Sequence, residues 1–170
     1  MDLRSFIKDV PDYPKPGVVY KDITPLLSDG EAFRFLIDEF TKIAEQKNPD
    51  LILGIDARGF LLAAPIAYKL GKGVAIVRKP GKLPRETAKE SYDLEYGSNS
   101  LEIHKDAIKP GQRVLIVDDV LATGGTVEAA CRLVRSLGGE IVGIEFLIEL
   151  TFLNGRNKIT GYDIFSLISY

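Results

Sequence analysis

Hydrophobic residues recur along the chain with two different spacings, which predicts helices alternating with strands. Residues Glu31–Gln46 place apolar side chains at helical intervals and predict an amphipathic helix. Shorter, nearly continuous apolar runs are typical of strands that are covered on both faces of a parallel sheet. The predicted strands are Leu51–Ile55, Val74–Arg78, Val114–Val117, Ile141–Ile148 and Ile164–Ile168, with helices at Arg58–Leu70 and Val127–Leu137. This alternation favours an α/β fold with a mainly parallel central sheet flanked by helices.

Two stretches fall outside the alternation. Residues 9–27 are rich in proline and poor in helix formers, so we expect them to run extended across a surface. Residues 79–100 are polar and contain glycine and proline. They predict a mobile loop over Lys79–Ser91, followed by short antiparallel arms at Tyr92–Tyr96 and Leu101–His104. A loop of that length in a compact domain is usually functional.

Composition and charge narrow the class of protein. The 170 residues are 45% hydrophobic with a formal net charge of −2, which indicates one ordinary globular domain and disfavours a nucleic-acid partner. No apolar run reaches membrane-spanning length and the start lacks a signal-peptide core, so we expect a cytoplasmic protein with no membrane partner. The single cysteine, Cys131, cannot form an internal disulfide and is expected to be a small buried hydrophobe.

The segment 114–126 carries the clearest chemistry. The carboxylates Asp118 and Asp119 come where the predicted strand ends, and the small-residue run Ala122–Thr126 follows at the start of a helix. Unsatisfied N–H groups and the helix dipole at such a start favour a phosphate. Carboxylates repel phosphate, but one sugar-length away they can accept hydrogen bonds from vicinal hydroxyls. The pattern predicts a ribose 5-phosphate site, the alternative being an ordinary strand–loop–helix corner.

Two further polar clusters follow predicted strands. The first consists of Asp56, Ala57 and Arg58, and the second of Arg78, Lys79 and Lys82. Because ligands sit beyond the carboxyl ends of strands in open α/β sheets, the first cluster and the Ala122–Thr126 run are expected to face one crevice. The cations of the second cluster suit a pyrophosphate group beside an acid-rich sugar site. The plainer interpretations are an Asp–Arg pair that caps a helix and a solvated charged face.

Three blocks of residues carry a resemblance to one family. The thirteen residues Val114–Thr126 resemble the phosphoribosyl-pyrophosphate (PRPP) signature of the type I phosphoribosyltransferases. Residues Asp12–Leu27 resemble the N-terminal hood of the adenine-specific branch of that family. Tyr92–Gly97 matches its Tyr-x-Leu-Glu-Tyr-Gly pattern in full. The similarity runs from about Phe6 to the C-terminus.

The resemblance implies an organisation and a set of site residues. It implies one phosphoribosyltransferase domain over residues 1–170, with a hood at about 1–30 and a flexible catalytic loop at about 79–100. The residues implied for PRPP and AMP are Asp118, Asp119, Ala122, Thr123, Gly124, Gly125 and Thr126. Those implied for pyrophosphate are Asp56, Ala57, Arg58, Arg78, Lys79 and Lys82, with a cis peptide bond between Asp56 and Ala57. Adenine is implied to contact the backbone of Val19 and Lys21 and the ring of Tyr20, with Glu95 as the catalytic residue.

The implied reaction converts adenine and PRPP to AMP and pyrophosphate in purine salvage. The family implies Mg²⁺ bound with PRPP near Asp118 and Asp119, and a homodimer. Tyr20 and Lys21 stand where the family often has phenylalanine and arginine, a change without consequence if the contacts are a ring face and a backbone group. Two alternatives are a phosphoribosyltransferase for xanthine, hypoxanthine, guanine or orotate, and a PRPP-sensing regulator. The hood disfavours the first and the chain length and charge disfavour the second.

Overall fold

The computed structural model describes residues 1–93 and 97–170. The predicted catalytic residue Glu95 lies outside the described residues. The chain divides into two compact units, Met1–Lys42 and Ile43–Tyr170. The organisation as one domain stays a prediction from the sequence. Within the described residues, no helix combines the length and the apolar character that a membrane crossing needs.

The first unit contains a β-hairpin and the start of a long helix. A 3₁₀ turn at Leu3–Phe6 precedes strands β1 (Lys8–Pro11) and β2 (Val19–Asp22), which pair antiparallel. Helices α1 (Thr24–Ser28) and α2 (Gly30–Lys47) follow, and the last turn of α2 belongs to the second unit. The helix predicted at Glu31–Gln46 is thereby confirmed.

The extended path predicted for residues 9–27 is wrong at its end, where α1 forms. The carboxylate of Asp22 accepts hydrogen bonds from the backbone N–H of Thr24 at 2.9 Å and from its hydroxyl at 2.8 Å. These bonds satisfy donors at the start of α1, and Pro25 is tolerated there because a first-turn N–H has no intrahelical partner.

The second unit is an α/β layer structure. Its elements are β3 (Leu51–Ile55), α3 (Arg58–Leu70), β4 (Gly73–Val77), β5 (Thr87–Asp93), β6 (Ser98–His104), β7 (Arg113–Leu121), α4 (Gly125–Ser136), β8 (Glu140–Glu149) and β9 (Ile164–Ser169). Five strands form a parallel sheet in the order β4-β3-β7-β8-β9, which confirms the predicted fold class. Two 3₁₀ turns, Thr151–Leu153 and Gly155–Lys158, link β8 to β9.

The core of the second unit lies between the sheet and α4. Ile116, Ile144 and Phe146 from the central strands are fully buried there with Val134 of α4. Cys131 is buried in the same cluster, as predicted, and burial raises the pKa of its thiol to about 12. The thiol is therefore an unreactive packing group.

The strand predicted at Val114–Val117 is longer than the sequence pattern indicated. β7 continues to Leu121, so Asp118 and Asp119 lie within the strand rather than after it. The parallel ladder with β8 runs from Arg113, opposite Glu140, to Leu121, opposite Glu149, and backbone pairing thus overrides the polar side chains.

The predicted loop Lys79–Ser91 is also corrected, because β5 already begins at Thr87 and pairs antiparallel with β6 as far as Asp93, opposite Ser98. Ala88 and Tyr92 pack against the core from alternate positions of β5, while the other face is polar. Residues 87–93 and 98–100 of the segment expected to be flexible, 79–100, thus belong to a two-stranded ribbon. Its half-exposed, polar outer face hid the period-two pattern from the sequence analysis.

Candidate active site

A polar pocket lies where β7 ends and α4 begins. Its lining includes Asp118 from the strand and, from the turn, Ala122, Thr123, Gly124 and Thr126. Gly124 has a φ of 91°, a conformation that glycine adopts without strain, and it turns the chain into α4. Within the described residues no side chain caps α4. The first backbone N–H groups of the helix are therefore available to an anion.

The two carboxylates beside the pocket differ in their electrostatic surroundings. Arg58 Nε lies 2.7 Å from Asp119 Oδ2, an ion pair without hydrogen-bond geometry. The backbone N–H of Asp119 donates to Asp118 Oδ1 at 2.8 Å. Burial raises the pKa of Asp118 well above its ordinary range, and the charge of Asp119 adds to the increase. The pair thus presents Asp119, held in an ion pair with Arg58, next to an Asp118 whose ionised form a hydroxyl donor or a cation would stabilise.

The loop from β3 to α3 adjoins these acids. The peptide bond between Asp56 and Ala57 is cis, as the family resemblance implied. The carboxylate of Asp56 accepts from Arg78 Nε at 3.2 Å and from the backbone N–H of Lys79 at 3.4 Å. Asp56 therefore pairs with Arg78 rather than with Arg58, and Arg58 is left to approach the acids of β7.

Gly59 explains how α3 comes so close to the acid pair. A Cβ atom at this position would lie 2.9 Å from the carbonyl oxygen of Val117 and 3.0 Å from Asp118 Oδ1. A larger residue would force α3 away from β7. The glycine thereby places the start of α3, with Arg58, at the carboxyl end of the neighbouring strand.

The predicted pyrophosphate cations Lys79 and Lys82 are exposed on the segment between β4 and β5. This segment is tied to β6, because the backbone N–H of Gly81 donates to Glu102 Oε1 at 3.1 Å. Glu102 also accepts from the Thr87 hydroxyl at 2.7 Å, and these bonds, that of Thr87 foremost, lower the pKa of its carboxyl. The two lysine side chains are thus carried on a segment anchored between them.

The three predicted adenine contacts lie on β2, in the first unit. Val19 is exposed, while Lys21 Nζ is held 2.7 Å from Asp9 Oδ1 on the paired strand. The ring of Tyr20 packs edge-to-face against Tyr13, with centroids 5.1 Å apart. Residues two apart on a strand direct their backbone groups to the same edge, which Val19 and Lys21 therefore share.

The sequence analysis did not identify the chain after β8 as a neighbour of the candidate site. Gly155 is buried against the Ala122–Thr126 turn, and the adjacent Arg156 forms a two-point ion pair with Glu149. The chain between the two residues consists of short 3₁₀ turns with no regular repeat, so the sequence pattern contained no signal for this contact.

Comparison with known proteins agrees with this geometry. A family model described as the phosphoribosyl transferase domain matches residues 27–163. The chain belongs to the phosphoribosyltransferase family. The fold class and the family predicted from the sequence are thus confirmed.

Several solved adenine phosphoribosyltransferase structures are similar to this chain. That of Thermoanaerobacter pseudethanolicus is 56% identical, with a TM-score of 0.97 over 99% of this chain and 98% of that one. That of Rhodothermus marinus is 47% identical, with a TM-score of 0.94 over 99% and 96%. That of Saccharomyces cerevisiae, complexed with adenine and an imino-altritol bisphosphate, is 39% identical, with a TM-score of 0.94 over 98% and 96%.

Proposed function

We propose that the protein is an enzyme, an adenine phosphoribosyltransferase that converts adenine and PRPP to AMP and pyrophosphate in purine salvage. The observation that carries the proposal is the pocket in which Asp118 and the Ala122–Thr126 turn meet, with Arg58 paired to Asp119 at its side. This arrangement supplies hydrogen-bond acceptors for sugar hydroxyls, N–H donors for a phosphate and a cation for a leaving pyrophosphate.

PRPP binds with its 5-phosphate on the turn formed by Ala122, Thr123, Gly124, Gly125 and Thr126. Asp118 and Asp119 accept hydrogen bonds from the 2- and 3-hydroxyls of the ribose and hold the ring still. Displacement at the anomeric carbon develops positive charge on the sugar, and the nearby carboxylates stabilise that charge. Because the attacking nitrogen belongs to the base, the protein needs no nucleophile of its own.

The leaving pyrophosphate is bound by the loop of Asp56, Ala57 and Arg58, and Lys79 and Lys82 add positive charge. Asp56 holds Arg78 at this end of the sheet through its 3.2 Å contact. Glu95 acts as the general acid or base that exchanges a proton with N7 of adenine while N9 attacks the sugar. A positioned general acid or base of this kind typically contributes about 10²–10⁴-fold to a rate.

Magnesium fits this site as an ion held mainly by the substrate. Within the described residues, no cluster of three or more His, Cys, Asp or Glu side chains could hold a metal alone. Mg²⁺ commonly binds through one or two carboxylates together with substrate phosphates and water. Asp118 and Asp119 are the carboxylates in place, and a nearby cation would stabilise the ionised form of Asp118, whose pKa burial raises. The ion would neutralise charge on pyrophosphate oxygens.

Adenine is recognised by the backbone of Val19 and Lys21 and stacks on Tyr20. The 2.7 Å bond of Lys21 to Asp9 occupies its ammonium group, which supports a role for the backbone rather than the side chain of Lys21. These backbone groups would offer an acceptor to the 6-amino group of adenine and a donor to its N1. Hypoxanthine matches neither, because it presents the acceptor O6 and the donor N1–H. Buried polar groups left unpaired in this way discriminate by about 10⁴–10⁵-fold.

The protein acts as a homodimer through α3 and β4. Leu61 and Tyr68 of α3 are exposed, as are Val74 and Ile76 of the sheet-edge strand β4. Since α3 and β4 pack on each other, these exposed apolar side chains lie on adjacent elements. Such a surface is typical of an interface between copies. The cytoplasmic location stays a prediction from the sequence.

One assay tests the proposed activity. The protein is incubated with PRPP, Mg²⁺ and, separately, adenine, hypoxanthine, guanine, xanthine or orotate, and the nucleotide formed is identified by chromatography. AMP formation with very poor turnover of the other bases is expected. Comparable turnover of adenine and hypoxanthine would contradict the proposed mode of base recognition, and absence of any nucleotide would favour the PRPP-sensing regulator.

A further inference from the structure

The chain between β8 and β9 is locked by a charged cluster. Arg156 donates from Nε to Glu149 Oε2 at 2.8 Å and from a terminal nitrogen to Oε1 at 2.8 Å. The hydroxyl of Ser166 on β9 donates to the same Oε1 at 2.8 Å. Glu149 is 7% exposed, and these bonds, that of Arg156 foremost, lower the pKa of its carboxyl. A two-point pair of this kind, with a buried carboxylate and a half-exposed Arg156, fixes geometry as well as charge.

Gly155, the residue before Arg156, contacts the turn Ala122–Thr126, to which the 5-phosphate is assigned and which is called the phosphate turn below. Gly155 is buried, and a Cβ atom on it would overlap the carbonyl oxygen of Ala122 and lie 2.8 Å from the side chain of Leu121. From the other side, a Cβ atom on Gly124 would lie 2.5 Å from the carbonyl oxygen of Gly155. The two backbones are therefore in direct contact, with no side chain between them to absorb a displacement.

We propose that Glu149 and Arg156 are positioning residues for 5-phosphate binding, acting through Gly155 on the Ala122–Thr126 turn. The inference rests on the proposed assignment of the 5-phosphate to that turn. The ion pair holds the Gly155–Lys158 turn in place, and Gly155 then acts as a rigid back wall that keeps the N–H groups of the phosphate turn aimed at the ligand.

This role predicts a selective defect. Loosening the back wall spreads the positions of the phosphate-binding N–H groups and weakens every ligand that carries a ribose 5-phosphate. Inorganic pyrophosphate, assigned to the loop of Asp56 and Arg58, does not use that turn. Its affinity is therefore expected to stay unchanged when the ion pair is removed, whereas a general loss of folding would weaken both ligands.

Calorimetric titration with ribose 5-phosphate and with pyrophosphate, both in the presence of Mg²⁺, tests the inference. Arg156→Met is expected to weaken the binding of ribose 5-phosphate on the order of tenfold. It should raise the KM for PRPP by a similar factor and leave the KM for adenine unchanged. Arg156→Lys, which keeps the charge but not the two-point geometry, is expected to recover part of the affinity. The double variant Glu149→Gln/Arg156→Met leaves no unpaired buried charge and should bind no worse than Arg156→Met alone.

A matched control separates positioning from general stability. Arg113, at the opposite end of β7, donates to the carbonyl oxygens of Lys47 at 2.8 Å and Asn48 at 3.0 Å. Arg113→Met is expected to lower the Tm and to leave the affinity for ribose 5-phosphate unchanged. Equal weakening of ribose 5-phosphate by Arg113→Met and Arg156→Met would overturn the inference.

A variant in the phosphate turn distinguishes failure of the inference from failure of the underlying site. Thr126→Val removes a hydroxyl from that turn and should weaken ribose 5-phosphate directly. If Thr126→Val weakens binding while Arg156→Met does not, the inference is wrong and the site assignment stands. If neither variant affects ribose 5-phosphate, the phosphate lies elsewhere and both are wrong.

Discussion

Glu145 is a carboxyl group buried without a hydrogen-bond partner among the described residues. It is 1% exposed on β8, where its neighbours across the ladders are Val117 and Phe165. Burial raises the pKa of Glu145 to about 8, and the charge of Lys47 opposes the shift. The side chain therefore carries a proton in the native state at neutral pH, while in the unfolded chain it is ionised.

This difference makes stability depend on pH. The native state binds the Glu145 proton more tightly than the unfolded chain, so the free energy of unfolding falls from about pH 4.5 and levels off above about pH 8. Glu145→Gln removes the titration. We expect this variant to match the parent protein at pH 4.5 and to be more stable by about 3 kcal/mol at pH 7, at about 1.4 kcal/mol per pH unit.

Urea unfolding at several pH values measures this effect. Glu140→Gln, a change at an exposed carboxyl on the same strand, serves as the control and should leave the pH dependence of stability in place. A parent protein and a Glu145→Gln variant with parallel stability profiles from pH 4.5 to 8 would show that Glu145 is ionised in the native state.

The proposed base recognition also depends on single residues. Tyr20→Ala should raise the KM for adenine by about tenfold, because stacking on an aromatic ring contributes about 1–3 kcal/mol per base. Lys21→Met should leave the preference for adenine over hypoxanthine unchanged, since the ammonium group of Lys21 is paired with Asp9. Steady-state kinetics with both bases measures these effects. A Lys21→Met variant that accepts hypoxanthine would show that the side chain reads the base.

At the scale of an element, α3 depends on close approach to β7. In Gly59→Ala the new Cβ atom would meet the backbone oxygen of Val117 at 2.9 Å, so α3 must shift. We expect a loss of about 1–3 kcal/mol in the free energy of unfolding, typical of overpacking, together with weaker pyrophosphate binding as Arg58 moves.

Gly30→Ala is the matched control for that change. Gly30 begins α2, and nothing lies within 4 Å of a Cβ atom built on it. The control should leave stability unchanged or increase it by up to about 1 kcal/mol, as helix propensity predicts. A Gly59→Ala variant as stable and as active as the Gly30→Ala control would contradict the packing argument.

The elements that the sequence predicted well are those buried on one or both faces. β3 and α3 have the predicted bounds, and α2 differs by one residue at each end. Their apolar spacing was sufficient because packing and propensity agree there. β5 was missed over its first five residues because one of its faces is polar and is held partly by side-chain contacts, such as the 2.7 Å hydrogen bond that Arg132 of α4 donates to the carbonyl oxygen of Ser91.

At the scale of the whole molecule, the exposed apolar residues of α3 and β4 predict association. Tyr68 is 87% exposed, so Tyr68→Asp removes no internal packing and should leave the fold intact while dissociating the dimer. Analytical ultracentrifugation at micromolar concentration measures the mass. Phe152→Asp, at an aromatic residue 69% exposed on the chain after β8, is the control and should leave the dimer intact. A parent protein that sediments as a monomer would contradict the proposal.

Local chemistry in the sequence determined which residue types carry the function. The acid pair, the small-residue turn after it and the cations after two other strands follow directly from residue identity and from strand–turn–helix periodicity. The parallel sheet follows as well, because apolar strands alternating with helices bury both faces in that arrangement alone.

The tertiary structure decided which of these groups pair and what holds them. In the folded protein Asp56 pairs with Arg78 and Asp119 with Arg58, β7 continues through both acids, and Gly155 lies against the Ala122–Thr126 turn. These contacts join residues up to 61 positions apart, as between Arg58 and Asp119. Sequence periodicity describes neighbours one or two turns away, whereas these pairings depend on strand order and on distances between backbones that exist only after the sheet has formed.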